Sequence, residues 1–288
     1  MKIRVPATSA NLGAAFDTLG IALDLYNYYE FKRSNKSKII EKNYNSRLED
    51  NLIYKSYKKT FEKFHKKLIP VEIKVNSNIP ISRGLGSSSA CIVAGISIAY
   101  LIMDRKIDKK EIFEIANEIE GHPDNVSPCV FGGLNTSIVV DEAISQKIYM
   151  KNNYKFIAII PNFKLNTKKS RDVLPKKVEF KDAIFNVSRV SFLVASLVSG
   201  NDSNLKYAFC DKLHQSYRAD LIANYDKITD FLDRESIISY LSGAGPTIMA
   251  ITDINRSVKS KIEDFTDQFE EEYKILELKV DNEGVKIL

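Results

Sequence analysis

Pro80-Ile81-Ser82-Arg83-Gly84-Leu85-Gly86-Ser87-Ser88-Ser89-Ala90 is the stretch from which the rest of the chain can be read. The segment before it, Val71-Glu72-Ile73-Lys74-Val75, alternates in polarity and predicts a half-buried strand. The segment after it, Cys91 to Met103, is almost wholly apolar, broken only by Gly95 and Ser97, and predicts a buried helix. A strand therefore runs into a glycine-rich turn, and the turn sets three hydroxyls on the start of a core helix. Helix starts expose unpaired N–H groups at the positive end of the dipole, so they attract anions. Gly84 and Gly86 let the backbone amides face such an anion at close range. A lone Gly-x-Gly before a helix is most often a capped core helix and nothing more. Two glycines and three serines between a strand and an apolar helix favour a phosphate cradle. No Gly-Lys-Ser/Thr closes it, so it is not the common P-loop.

The chain has 288 residues, enough for one large domain or two moderate ones. Its net charge of +5 is mild, and its lysines are scattered in small clusters such as Lys58-Lys59 and Lys168-Lys169. That pattern is a solvated surface that helps to attract anions, not a nucleic-acid stripe. Cys91, Cys129 and Cys210 are widely spaced and each sits among apolar residues, which predicts buried free thiols in a reducing compartment. The N-terminus shows no apolar signal region, and no segment reads as a bilayer span. A soluble cytoplasmic protein without nucleic-acid or membrane partners is expected.

Lys2 to Val5 predicts a short strand ending at Pro6, followed by a turn-rich run through Asn11-Leu12-Gly13 to Asp17. Ala22–Phe31 and Lys36–Glu41 predict strands, and Asp50 is placed as the cap of a helix lined by Ile53, Tyr57, Phe61 and Phe64. After Asp108 an amphipathic helix ends at Glu120-Gly121-His122-Pro123-Asp124-Asn125, read as a loop dense in groups able to hold a metal or a polar ligand. Strands are expected at Leu134–Val140, Gln146–Met150 and Lys155–Ile160, with a soft boundary near residue 150 that divides domains 1–150 and 151–288. The second part reads as helices at Lys168–Val173, Asp182–Val198, Asn204–Leu213, His214–Ala223 and Tyr225–Leu232. Two strands flank Gly243-Ala244-Gly245-Pro246, and a helix over Asn255–Phe269 and a strand at Ile275–Val280 close the chain. Mixed elements without regular βαβ alternation predict the α+β class.

Pro80 to Ala90 matches at every fixed position the motif Pro-x-x-x-Gly-Leu-Gly-Ser-Ser-x-Ala, and on it the chain resembles the GHMP kinases. Pro6-Ala7-Thr8-Ser9-Ala10-Asn11-Leu12-Gly13, Glu120 to Asn125 and Ser242 to Pro246 occur in the order found in the homoserine kinases of that family. The resemblance runs from Lys2 to nearly the C-terminus. It implies a GHMP kinase fold, an N-terminal domain like ribosomal protein S5 joined to a ferredoxin-like C-terminal domain. It also implies phosphorylation of homoserine by ATP with Mg²⁺ in threonine biosynthesis, and a homodimer. Ser82-Arg83 departs from the family, whose members usually carry Gly and a small residue there. Arg83 therefore reads either as a phosphate contact or as a solvent-facing side chain.

Carried over position by position, the resemblance makes Pro80 to Ala90, including Ile81, Ser82, Leu85, Ser87 and Ser89, the ATP phosphate loop, and puts Asn51 at the adenine. Ser88 and Glu118 match the metal ligands, with Ser87 as the less favoured alternative for the hydroxyl and Glu120 and Glu114 as the alternatives for the acid. Homoserine maps to Asn11, Asp17, His122, Asp124, Asn125, Thr167, Arg171 and Arg218. Asn125, Asp124, Arg171 and Arg218 stand nearest the chemistry, with Asp124 read as an orienting group and no dedicated base expected. The twin arginines suit a substrate carboxylate, and Asp17 and Asn11 suit an ammonium. A kinase acting on mevalonate or a phosphomevalonate would share the loop but need neither. A catalytically silent sensor would not need an intact loop.

Overall fold

The computed structural model describes residues 1–41 and 47–288. Strands β1 (Lys2–Ala10) and β2 (Leu19–Arg33) pair antiparallel, Ile3 opposite Tyr29 and Thr8 opposite Ala22, with a register shift between Pro6 and Ala7. The expected strand end at Pro6 is corrected by that shift. A bulge accommodates a residue with no N–H, and the strand continues through Thr8, Ser9 and Ala10, all buried. β3 (Lys38–Glu41) lies parallel to β4 (Val71–Asn76), which pairs with β2. β5 (Leu134–Val139) joins the start of β2 and forms a hairpin with β6 (Ala143–Ile148).

Four helices cover this sheet: α1 (Leu52–Lys63), α2 (Ser87–Ile102), α3 (Lys109–Glu120) and α4 (Pro123–Phe131). Asn51, not Asp50, caps α1, its Oδ1 accepting from Ile53 N at 2.9 Å, while Asp50 ends a 3₁₀ turn. α4 is a helix where a loop was expected, because Pro123 sits at its first turn, where a missing N–H costs nothing. Pro128 inside α4 cannot bond the Asp124 carbonyl, and that carbonyl instead crowds against Gly20 of β2, where a Cβ would lie 1.7 Å away. α2 is buried nearly all round, and Gly95 lets α1 close on it.

The second sheet has the order β10-β7-β9-β8, all antiparallel, from β7 (Tyr154–Pro161), β8 (Ile238–Leu241), β9 (Ile248–Asp253) and β10 (Tyr273–Leu278). With its helices it follows the β-α-β-β-α-β pattern of ferredoxin-like domains. Its helices are α5 (Thr167–Asp172), α6 (Phe180–Ser199), α7 (Leu205–Ala208), α8 (Gln215–Ala219), α9 (Tyr225–Arg234) and α10 (Lys259–Thr266). The long helices expected over 204–223 are single turns, because the Asp211 carboxylate takes the N–H groups of Leu213, His214 and Gln215. Residues 149–153 separate the two sheets, but β11 (Lys286–Ile287) returns to β1, so the seven-stranded first sheet also holds the C-terminal residues.

Two composition-based expectations are corrected. Cys129 is buried, but Cys91 is only partly covered and Cys210 is exposed, though all three are free. α6 is long and apolar enough, by length and composition, to cross a bilayer.

A Cβ at Gly95 would lie 2.2 Å from the Ile53 carbonyl oxygen, a rigid backbone atom. Gly95→Ala is expected to lower stability by about 1–3 kcal/mol by overpacking, read as a drop in the urea midpoint with an unchanged slope.

Candidate active site

The phosphate loop is held by carbonyls that accept from distant segments. Thr8 N donates to Leu85 O, Thr247 N to Arg83 O and Leu165 N to Ser82 O, each at 3.2 Å. Ser242 Oγ donates to Gly84 O at 2.6 Å and must therefore accept from Ser9 Oγ, 2.7 Å away, which in turn accepts from Tyr240 Oη at 2.9 Å. This relay of buried hydroxyls runs between the two sheets. Gly84 and Gly86 have φ of +77° and +67°, and a Cβ there would lie 2.3 Å from Ser242 O and 1.8 Å from Thr8 Oγ1. Only glycine fits either place. Ser87, Ser88 and Ser89 then open α2, their hydroxyls and amides at the mouth of a cavity of about 460 Å³.

Asn51, Leu52, Ile53, Ser77 and Cys91 line that cavity together with Asn11, Asp17, His122, Asp124, Thr167 and Arg171. Asn125 and Arg218 also reach it, whereas Leu85 and Ala90 lie in the core and anchor the loop from behind. The structure thus brings together residues from the 11–17 turn, α1, α2, α3, α4, α5 and α8.

Of the other expected site residues, Pro80 and Glu118 also lie outside the cavity lining, and Glu118 has a partner elsewhere. It pairs with Lys63 at 2.5 Å, half exposed and away from the cavity. Glu120 accepts from Ser88 Oγ at 2.9 Å and Ser89 Oγ at 3.1 Å. Residues two apart on a helix face opposite sides, so only one of the two acids can meet α2. Arg83 lines the cavity and is not simply solvent-facing: its Nε donates to Pro161 O at 2.9 Å and its Nη1 to Ile81 O at 3.2 Å, stapling the loop to β7.

Asn11 organises the 11–17 turn. Its Nδ2 donates to Gly243 O at 2.8 Å and its Oδ1 accepts from Asp17 N at 3.0 Å. Asp17 is gripped by both ends of the Arg171 guanidinium, at 3.0 and 2.8 Å. Burial alone would lower the Arg171 pKa, but the Asp17 carboxylate raises it on balance. Arg218 is 1% exposed, donating from Nε to Ser170 O and from Nη1 to Gly243 O, each at 3.0 Å. Burial, helped by the neighbouring Arg171, brings its pKa down to about 10. Asp124 Oδ1 accepts from His122 Nδ1 and Asn125 N, each at 2.9 Å, and Thr8 Oγ1 donates to Asn125 Oδ1 at 2.8 Å.

Several contributors carried no signal in the sequence. Asn27 Oδ1 accepts from Asn78 N and Ile79 N, setting the approach to the loop. Tyr240 and Ser170 are ordinary strand and helix residues until the sheets meet, and Ser9 stood out only as part of the Pro6–Gly13 motif. Ser242 to Pro246 stood out as a motif, but its task of holding Gly84, Asn11, Ser170 and Arg218 shows only in three dimensions.

A glycine-rich anion loop at the start of a core helix, facing a polar cavity shared with a ferredoxin-like half, defines a GHMP kinase. Residues 51–133 match the GHMP kinases N terminal domain. The chain is 42% identical to a homoserine kinase of Clostridium botulinum (strain 657 / Type Ba4), covering 100% of this chain and 98% of that protein. It is 44% identical to the homoserine kinase of Clostridium beijerinckii, over 99% and 98%. A crystal structure of homoserine kinase from Cytophaga hutchinsonii superposes with a TM-score of 0.91 at 25% identity, over 100% of this chain and 97% of that one. The chain belongs to the homoserine kinase family.

His122 is held by Asp124, whose hydrogen bond raises its pKa against the opposing effect of burial. A raised histidine pKa adds stability that is fully present below the unfolded value of about 6.5 and is lost as pH rises through the folded value. The stability gap between wild type and His122→Ala should therefore be larger near pH 6 than near pH 9, as measured by urea titration at the two values.

Proposed function

We propose that this chain transfers the γ-phosphoryl group of ATP to the side-chain hydroxyl of homoserine, giving O-phosphohomoserine for threonine biosynthesis. The observation that carries this reading is the meeting of Asp17, Arg171 and Arg218 in one cavity with the phosphate loop. Homoserine is a zwitterion with a terminal hydroxyl. Its carboxylate suits the guanidinium groups of Arg171 and Arg218, and its ammonium suits Asp17. Asp17 and Arg171 form an ion pair, and a ligand bearing both charges can exchange with that pair and leave neither alone. Mevalonate has no ammonium and would strand Asp17.

The loop amides and the start of α2 take the ATP phosphates, and Asn51, Leu52 and Ile53 border the adenine end. Ser88 Oγ and the Glu120 carboxylate offer adjacent hard oxygens, which suits Mg²⁺, an ion that keeps most of its ligands as water and phosphate. Bound there, Mg²⁺ would neutralise charge on the phosphates. Phosphoryl transfer has a loose transition state, so alignment and charge stabilisation by the loop supply the catalysis. Asp124 already accepts from His122 and Asn125, which supports an orienting role and a mechanism without a dedicated base.

The homodimer reading is supported by α6. Phe180, Ile184, Val187, Phe192 and Val198 are 46–82% exposed along one side, with Ser188, Ser191 and Ala195 between them. The charges of this helix are engaged locally: Lys181 with Glu179, Asp182 with Lys212, and Arg189 on the Phe185 ring. A second α6 crossing antiparallel would set Val187 against Phe192 and Ile184 against Ala195, large against small. The five apolar side chains alone offer about 500 Å², on about 150–200 Å² each, toward the ~800 Å² per partner of a stable dimer. Val187→Glu is expected to shift the protein from dimer to monomer in sedimentation velocity, and a wild-type monomer would overturn this reading.

Coupled ADP-release assays with homoserine, with mevalonate and with no acceptor test the function, and only homoserine should exceed the blank. Glu120→Gln is expected to cut turnover at least tenfold and raise the Mg²⁺ requirement, whereas Glu118→Gln should leave both within about twofold, as the loss of a half-exposed ion pair is worth about 0–1 kcal/mol.

A further inference from the structure

Arg218 is enclosed, yet among the described residues no carboxylate oxygen lies within 4.0 Å of its guanidinium. Besides two backbone carbonyls and the face of the Phe16 ring, 5.2 Å from its centroid, its guanidinium meets His214: Nη1 lies 3.3 Å from Nδ1 of that ring. The other ring nitrogen, Nε2, lies 2.8 Å from Gly13 O, in the turn that carries Asn11 and Asp17. A carbonyl can only accept and a guanidinium can only donate, so Nε2 carries the proton and Nδ1 is the acceptor. The imidazole is therefore neutral, and burial lowers its pKa in the same direction.

The charged groups around the ring are Asp211, Arg218 and Asp17. The Asp211 carboxylate, 3.8 Å from Nε2, is occupied by Asn186 Nδ2 and by the N–H groups of Leu213, His214 and Gln215. Asn186 of α6 also donates to Ala14 O, tying the same network to the 11–17 turn. Phe16 stacks on the ring, with centroids 5.2 Å apart and planes at 27°. The ring is fixed on every side, and its bare nitrogen is aimed at one guanidinium nitrogen.

We infer that His214 is a positioning residue for homoserine: clamped on the Gly13 carbonyl, its Nδ1 holds Arg218 at the angle at which the guanidinium receives the substrate carboxylate. This rests on the homoserine kinase reading above. A flexible arginine without that anchor would have to be ordered by each substrate molecule, which weakens binding. A histidine that only fills the core would satisfy its own nitrogens without favouring either substrate.

Two substitutions separate the nitrogens. His214→Gln can keep a donor near Nε2 and loses the acceptor for Arg218, whereas His214→Asn can keep an acceptor near Nδ1. His214→Gln is expected to raise the homoserine KM about tenfold, equivalent to about 1.4 kcal/mol, with the ATP KM within twofold. His214→Asn should recover most of that loss. In an Arg218→Lys background, adding His214→Gln should change the homoserine KM by less than about threefold, because the two residues act as one unit. Equal rises in both KM values, full additivity in the double variant, or unfolding of both His214 variants would overturn the inference. Homoserine turnover by wild type with an unchanged His214→Gln enzyme would overturn it alone, whereas no turnover by wild type would remove the functional reading with it.

Discussion

The hydroxyl relay from Tyr240 through Ser9 and Ser242 to the Gly84 carbonyl is the constraint on which the site depends. Each hydroxyl is buried and each has one donor hydrogen, so the direction of the chain is fixed by the carbonyl at its end. Burial also raises the Tyr240 pKa, which keeps the phenol protonated as the first donor. The relay joins β8 and the segment after it to β1 and to the loop at the start of α2. The phosphate end of the cavity therefore keeps its shape only while the two sheets stay docked.

The same docking explains how a guanidinium can sit almost without solvent. Among the described residues no carboxylate lies within ion-pair distance of Arg218, and its guanidinium donates to the carbonyls of Ser170 and Gly243 and to the acceptor nitrogen of His214. Such a cation favours an incoming carboxylate more strongly than an exposed one would, since little water competes for it. Arg171, by contrast, is half-exposed and already paired with Asp17. One arginine is thus held by carbonyls and a ring nitrogen, and the other by a carboxylate.

Glu118 and Glu120 show where sequence matching loses resolution. Both precede the same Gly-His-Pro turn, and a register of two residues was beyond the motif. Helical geometry separates them at once, because they point to opposite sides of α3. Pro123 was a stop signal that is in fact a start, with Gly121 ending α3 and Pro123 opening α4 two residues later. Arg83 read as phosphate contact or surface charge, and its carbonyl partner on β7 is 78 residues away. No local pattern encodes such a partner.

What the chain determined on its own was local and periodic: the strand, the two glycines with positive φ, the serines and the apolar helix of the loop. These follow from backbone sterics and the helix dipole, which act between near neighbours. The α+β class and the residues that gather around the cavity were also legible, through motifs that keep their order along the chain. Tertiary structure decided which acid meets Ser88, which arginine is left without a counterion, and which hydroxyls hold the Gly84 carbonyl. Those choices rest on hydrogen bonds between segments up to about 230 residues apart, and their energy arises only once water has been removed from between the sheets. The loop is local physics, and the substrate end is the physics of burial.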